Sequence, residues 1–147
     1  MINLGFNSGK DAPNVRYYPT LIDRTLELTV VCINITMWVA FFLLHNKIEL
    51  STETAVLGTI VSILIGITAY FPIRYFNFPI KITQQNVAIQ YTLAVRYVRS
   101  LNIIYTTMLA SSIFMTYYNW CNIVYKICTL ILVISIVCYF ILIIRHK

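Results

Sequence analysis

The chain has 147 residues, of which 59% are hydrophobic and 11% are charged, and its formal net charge is +6. This composition is too apolar for an ordinary soluble domain. The apolar residues are gathered in four blocks of roughly 20 residues, the length that a helix needs to cross a bilayer. The sequence therefore predicts an all-α membrane protein with four transmembrane helices, at residues 25–45, 54–72, 100–118 and 123–145.

The chain begins with a polar stretch that contains Gly, Pro and Asn. We interpret residues 1–19 as a cytoplasmic tail and residues 20–147 as a single transmembrane domain. Thr20 is a good N-cap for the first helix, and Asp23 lies three residues later, where a carboxylate meets the free amides of the first turn.

The first span carries polar residues among its apolar ones. Glu27, Asn34 and Trp38 recur at helical spacing, so they share one face of the helix. Polar groups within a membrane avoid lipid. We therefore expect Glu27 and Asn34 to be intramembrane polar residues that point into the bundle, with Glu27 paired to one of the arginines at positions 24, 74, 96 or 99.

The second span has a row of small residues. Ser51 or Thr52 is expected to cap this helix, and Gly58, Ser62 and Gly66 follow at intervals of four. Such a row lets a neighbouring backbone approach closely. Packing within the four-helix bundle is the favoured interpretation, and a homo-oligomer interface is left open.

A long polar segment separates the second and third spans. Residues 71–82 combine four aromatic side chains with two cations and two prolines, and we interpret them as an anchor in the inner headgroup layer. Thr83 is expected to start a third helix whose first part, residues 84–100, is amphipathic and extends into the cytoplasm. Arg96 and Arg99 are predicted to lie on a water-exposed face of it.

The distribution of cations predicts the orientation. Nine of the eleven Lys and Arg residues fall in the two termini and in the segment between the second and third spans. Because such residues concentrate on the cytoplasmic side, both termini are expected to be cytoplasmic. Cations at a membrane surface contact lipid headgroups, so the bilayer is the expected partner and nucleic acid is not.

The chemistry that an enzyme needs is not evident in the sequence. The five acids lie in tails, loops or helix ends, and no metal-ligand or nucleophile motif occurs. We predict no catalytic residue, no metal and no cofactor. Three of the four cysteines fall in apolar blocks, where cysteine packs as a small hydrophobe, whereas Cys121 in the outer turn is a candidate reactive thiol.

One part of the chain resembles a known family. FNFPIKIT at residues 76–83, followed by Asn86, Gln90, Tyr91, Arg96 and Arg99, is similar to a bacterial family of small membrane proteins of unknown function. The same domain forms the N-terminal part of immunity and signalling proteins that protect cells from the sporulation-delaying killing factor. YPTLIDRTLEL at residues 18–28 and Trp38 also match, and the likeness covers roughly residues 18–115.

The resemblance implies a multi-pass protein of the bacterial cytoplasmic membrane. In that family an external Pro- and Gly-rich segment typically joins the first two spans, but here HNKIELSTET at residues 45–54 replaces it. Because the inner half of the pattern is retained, we expect an inward-facing function.

These observations predict a non-enzymatic protein that acts by binding a protein or ligand, of an immunity, sensing or regulatory type. An unknown protein partner on the cytoplasmic side is expected to meet the polar segment, at Asn77, Lys81, Asn86, Gln90, Arg96 and Arg99. The alternative is a subunit of a small oligomeric channel or transporter, assembled through the small-residue row. Neither the partner nor the oligomeric state follows from the sequence.

Overall fold

The computed structural model describes residues 7–8, 17–45, 51–115 and 117–146. The described part of the chain is almost entirely helical, which confirms the predicted all-α class. The helices are α1 (Leu21–Leu44), α2 (Thr52–Thr68), α3 (Val87–Phe114) and α4 (Asn119–Arg145), and a short 3-10 turn covers Ile73–Tyr75. A two-residue antiparallel pair joins β1 (Asn7–Ser8) to β2 (Asn77–Phe78), with Asn7 opposite Phe78. The remainder of the predicted tail, and part of the first loop, lie outside the described residues.

The first two helices start as the sequence predicts. Thr20 is the N-cap of α1, and the carboxylate of Asp23 accepts a hydrogen bond from the Thr20 backbone N–H at 2.7 Å. Ser51 is the N-cap of α2, and its hydroxyl accepts the backbone N–H of Thr54 at 3.2 Å. Each cap satisfies an amide that the first helical turn leaves without a partner.

Four helix ends differ from the prediction. The helix α3 ends at Phe114 instead of residue 118, and α4 begins at Asn119 instead of residue 123. The helix α2 ends at Thr68, four residues before Pro72, because the N–H groups of residues 69–71 bond three residues back and tighten the chain into a 3-10 turn. The helix α3 begins at Val87 instead of residue 84. The Asn86 side chain accepts the N–H of Thr83 at 2.8 Å, which holds the intervening residues in a turn.

The helix α3 is the centre of the bundle. It packs against each of the other three helices, whereas α1 and α2 make few direct contacts with each other. Buried positions occur all around α3, and the exposed large apolar side chains lie mainly on α1, α2 and α4. These three helices therefore form an apolar outer layer around a central helix that carries many of the polar groups.

Two of the described helices, α1 and α4, are long and apolar enough to cross a membrane. The helix α2 is equally apolar but has 17 residues, about 26 Å at 1.5 Å per residue. The outward faces of all three carry rows of exposed Val, Ile, Leu and Phe side chains. Soluble monomers rarely expose contiguous apolar surface on this scale, and such a surface is typical of contact with lipid.

The predicted inner anchor, residues 71–82, contains both exposed and buried side chains. Phe71 and Tyr75 are exposed and Ile80 is buried, whereas Ile73 and Phe78 are buried in a cluster with the first turns of α3. Ile73 and Phe78 are buried because Val87, Tyr91, Ala94 and Val95 offer them an apolar face, which completes a second small core. The location of the segment in the headgroup layer stays a prediction.

The first half of α3 does not project freely. The last turns of α4 run beside it. The rings of Tyr97 and Tyr139 stack with centroids 4.0 Å apart. The side-chain amide of Gln90 donates to the carbonyl oxygens of Ile143 and His146 at 3.1 and 2.9 Å. Gln90 thereby satisfies carbonyls that the end of α4 leaves without partners.

Candidate binding site between α1, α2 and α3

A buried ionic cluster lies where the first turns of α1 meet the middle of α3. The guanidinium of Arg99 is 3% exposed and lies between the carboxylates of Asp23 and Glu27. Its Nη1 is 3.1 Å from Asp23 Oδ1, and its Nη2 is 2.8 Å from Glu27 Oε1. The Arg99 Nε–H also donates to Glu27 Oε1 at 2.9 Å. One arginine on α3 thus joins two acids that stand one turn apart on α1.

Asp23 is fully buried and accepts several further hydrogen bonds. Its Oδ2 accepts the hydroxyl groups of Tyr17 and Thr20 in addition to the Thr20 backbone N–H. The Nε of Arg96 lies 3.5 Å from Asp23 Oδ1. Burial raises the pKa of the Tyr17 phenol, and its hydrogen bond to the Asp23 carboxylate raises that pKa further. Tyr17 therefore remains a protonated donor to Asp23 at neutral pH.

Glu27 lies at the edge of the cluster that faces α2. Tyr70, just beyond the end of α2, donates its hydroxyl to Glu27 Oε1 at 2.6 Å. Arg24, whose side chain is 64% exposed, stands 3.7 Å from Glu27. The predicted pairing of Glu27 with an arginine is therefore confirmed for Arg24 and Arg99. Counting Arg96, three guanidinium groups surround two carboxylates, which leaves an excess of one positive charge.

A second polar group lies deeper in the bundle, about 10 Å from Glu27 by the rise of α1. The Ser62 hydroxyl donates to Asn102 Oδ1 at 3.0 Å, and the Asn102 side-chain amide donates to the Ser62 carbonyl oxygen at 3.1 Å. The Asn34 amide lies 3.4 Å from the Ser62 hydroxyl. Further along, Trp38 Nε1 donates to Thr59 Oγ1 at 3.1 Å. The predicted inward direction of Glu27, Asn34 and Trp38 is confirmed.

A cleft of about 470 Å³ runs between α1 and α2, with α3 as its floor. Its walls are mainly apolar and include Val31, Ile35, Ile63 and Ile67. Three polar side chains, Glu27, Tyr70 and Arg99, line one end, and Asn34, Ser62 and Asn102 line the middle. Its volume lies within the range of small-molecule sites, roughly 300–1,000 Å³.

The other half of the bundle contains a packed apolar cluster and a second, mainly apolar cleft of about 400 Å³ between α1, α3 and α4. Met37 and Phe41 of α1, Ala55 of α2, and Leu109 and Ile113 of α3 form one buried cluster beyond the Trp38–Thr59 hydrogen bond. Because these residues are packed together, the polar lining of the cleft stops near the middle of α1. The cleft is therefore polar at one end and apolar at the other.

The small-residue row of α2 faces α3. A Cβ atom built on Gly58 would collide with the side chain of Leu109, and one built on Gly66 would lie 3.4 Å from Asn102 Nδ2. Ser62 lies between them and is bonded to Asn102. All three positions are used for packing within the chain, in agreement with the interpretation that the sequence favoured.

The six predicted interaction residues do not form one exposed surface. Asn77 and Lys81 are exposed, and the side chain of Arg96 is 37% exposed. Asn86, Gln90 and Arg99 are buried. Asn86 holds the turn before α3, Gln90 caps α4, and Arg99 bridges two acids. The prediction that Arg99 lies on a water-exposed face is wrong, because two carboxylates of α1 stand opposite it.

The prediction that Cys121 is a candidate reactive thiol is also wrong. Cys121 is 1% exposed and packs in the apolar cluster with Met37 and Phe41, so it is not an accessible reactive thiol. Cys32 and Cys138 are the exposed ones, and all four are free thiols. Within the described ranges, no group of three or more His, Cys, Asp or Glu side chains is placed to hold a metal ion.

The chain was also compared with known proteins. No family model, curated protein or solved structure matches it.

Proposed function

We propose that this protein spans the bacterial cytoplasmic membrane four times, with both termini in the cytoplasm. The exposed apolar faces of α1, α2 and α4 support this proposal, as does the clustering of cations expected on the inner side. In this arrangement the ionic cluster of Asp23, Glu27 and Arg99 lies near the inner interface. The buried polar pair of Ser62 and Asn102 lies deeper in the bilayer.

We further propose that the protein acts by binding, in an immunity, sensing or regulatory role, and not by catalysis. The observation that carries this proposal is the cleft between α1 and α2, which combines apolar walls with a polar end. The carboxylates of Asp23 and Glu27 are held by arginine and tyrosine side chains. Groups held in this way suit fixed recognition better than proton transfer.

A partner protein on the cytoplasmic side remains part of the proposal. In the polar segment between α2 and α3, the side chains of Asn77 and Lys81 are exposed and can contact such a partner. The resemblance of this segment to the family described above supports an inward-facing role.

A channel or transporter subunit has less support. The polar side chains of the cleft stop near the middle of the bundle, and the apolar cluster around Phe41 and Leu109 lies beyond them. A second cleft of about 400 Å³, between α1, α3 and α4, is lined mainly by apolar side chains. The row of Gly58, Ser62 and Gly66, which an oligomer would use, packs on α3. These observations favour binding over a continuous route for solutes.

Photo-crosslinking in native membranes tests the binding role. A photoreactive residue at Ile67 lines the cleft, and one at Ile60 on the same helix does not. The two isoleucines are 48% and 47% exposed, so they are matched in exposure. We expect a discrete adduct from position 67 that position 60 does not give. Identical adducts from both positions would show that the cleft has no occupant of its own.

A further inference from the structure

We propose that the cleft between α1 and α2 holds an acyl chain of an anionic membrane lipid, whose phosphate lies beside Arg24 and Arg96. This inference rests on the proposed membrane location and names the class of ligand for the same site. It follows from the shape of the cleft, from the charge just beyond its inner end, and from its size.

The shape suits an elongated apolar group. The walls are formed by aliphatic side chains on the facing sides of α1 and α2, such as Val31, Ile63 and Ile67. The three side chains at the inner end, Glu27, Tyr70 and Arg99, are already bonded to one another. In the middle of the cleft, Ser62 and Asn102 are bonded to each other, and the Asn34 amide donates to the Val30 carbonyl oxygen. The apolar walls are therefore the main surface available to an occupant, and an acyl chain makes no hydrogen bonds of its own.

The charge just beyond the inner end of the cleft suits an anionic headgroup. Arg24 and Arg96 do not line the cleft, but Arg24 contacts Glu27, which does, and Arg96 contacts Asp23 beside it. Arg99 is enclosed by two carboxylates, but Arg24 is 64% exposed and its distance to Glu27 is 3.7 Å. Arg96 is 37% exposed and lies 3.5 Å from Asp23. Both guanidinium groups therefore retain N–H donors for a phosphate, which guanidinium recognises well. Basic sites between transmembrane helices on the cytoplasmic side are typical binding sites for acidic headgroups.

The size argues against a helix from a second copy. A helix about 10 Å across occupies roughly 850 Å³ over two turns, whereas the cleft holds about 470 Å³. A single lipid chain fits this space without separating α1 from α2, whose side chains are joined by the Trp38–Thr59 and Tyr70–Glu27 hydrogen bonds.

Trp38 provides a reporter at the far end of the cleft. The chain has two tryptophans, so Trp120→Phe leaves Trp38 as the sole indole, next to the cleft-lining Thr59. This variant is placed in phosphatidylcholine nanodiscs that contain a small fraction of lipid with brominated acyl chains. The brominated lipid is either phosphatidylglycerol or phosphatidylcholine, and quenching of Trp38 fluorescence is titrated against its fraction.

We expect brominated phosphatidylglycerol to quench Trp38 at a lower fraction than brominated phosphatidylcholine. Ile67→Phe, which narrows the cleft, should weaken this preference, whereas the matched Ile60→Phe should keep it. Arg24→Gln should weaken it about fivefold, the contribution of one arginine near an anionic surface. Arg145→Gln, which removes an exposed cation at the end of α4, should leave it unchanged.

Two results distinguish a failure of the proposed lipid site from a failure of the proposed membrane location. Equal quenching by the two brominated lipids, or a preference that Ile67→Phe and Ile60→Phe affect equally, overturns the lipid site and leaves the membrane location intact. Quenching by neither lipid, with a protein that does not incorporate into nanodiscs, overturns the lipid site together with the proposed membrane function.

Discussion

Arg99→Gln should destabilise the bundle more than any other change to a charged side chain of the ionic cluster. The substitution leaves the fully buried Asp23 carboxylate without its closest cation and removes two contacts to Glu27. Removing one partner of a buried ion pair costs about 3–5 kcal/mol, because the remaining charge stays desolvated. With roughly 2–4 °C lost for each kcal/mol, the expected fall in Tm is about 6–20 °C.

Arg96→Gln is the matched comparison. The side chain of Arg96 also approaches Asp23, but it is 37% exposed and the distance is 3.5 Å. Exposed ion pairs contribute about 0–1 kcal/mol, so its Tm should change by only a few degrees. Arg99→Lys should fall between the two, because one ammonium group cannot reproduce the fork that reaches both acids.

The assay is thermal unfolding of the purified protein in a mild detergent, followed by circular dichroism, with Asp23→Asn added in a double-mutant cycle. Asp23→Asn should partly rescue Arg99→Gln, since it removes the charge that was left unpaired. Equal Tm values for Arg96→Gln and Arg99→Gln, with no rescue, would refute the assignment of Arg99 as the central cation.

Three further predictions follow from the packing. Gly58→Ala should lower stability by about 1–2 kcal/mol, because the strain of moving Leu109 exceeds the roughly 1 kcal/mol that alanine gains over glycine in a helix. Gly66→Ala, at an ordinary contact distance, should be neutral or slightly stabilising; equal Tm changes would contradict the packing of α2 on α3. Asn102→Ala should cost about 1–2 kcal/mol because two hydrogen bonds to α2 are lost, and a wild-type unfolding midpoint would contradict this. Because the pKa of Tyr17 is raised in the folded protein, the stabilisation by its protonated phenol is present below about pH 10 and is lost at higher pH. Tyr17→Phe should therefore flatten the dependence of unfolding free energy on pH between neutral and alkaline pH. An unchanged pH dependence would count against the Tyr17–Asp23 hydrogen bond.

The sequence predicts those features that depend on local patterns. Helix caps require a particular residue at one position, and Thr20 and Ser51 both act as predicted. The inward face of α1 follows from the spacing of Glu27 and Asn34. The helical class follows from the apolar blocks, because their length suits helices.

The environment of Arg99 could not be predicted in the same way. Periodicity alone places Arg99 on a polar face of α3, and the polar face of a helix is usually exposed to water. It is buried because α1 brings two acids against it, which depends on the relative placement of two helices far apart in sequence. Gln90 is a similar case, since its partners lie at the end of α4.

One signal in the sequence does point to the buried face of α3. Arg99, Asn102 and Thr106 follow at helical spacing, and all three are buried. Asn102 stands inside an apolar block, where a polar residue is expected to face other helices. The argument that places Asn34 against other helices holds equally for Asn102.

The four-span orientation is the central claim, and cysteine labelling tests it most directly. Cys121 is buried and is not a suitable probe. In a cysteine-free background, Asn119→Cys and Asn77→Cys instead place one thiol at an exposed position on each side. A membrane-impermeant maleimide should label position 119 in intact cells and position 77 only after lysis. Labelling of position 77 in intact cells would contradict the orientation, and equal labelling of both before lysis would contradict the membrane crossing between them.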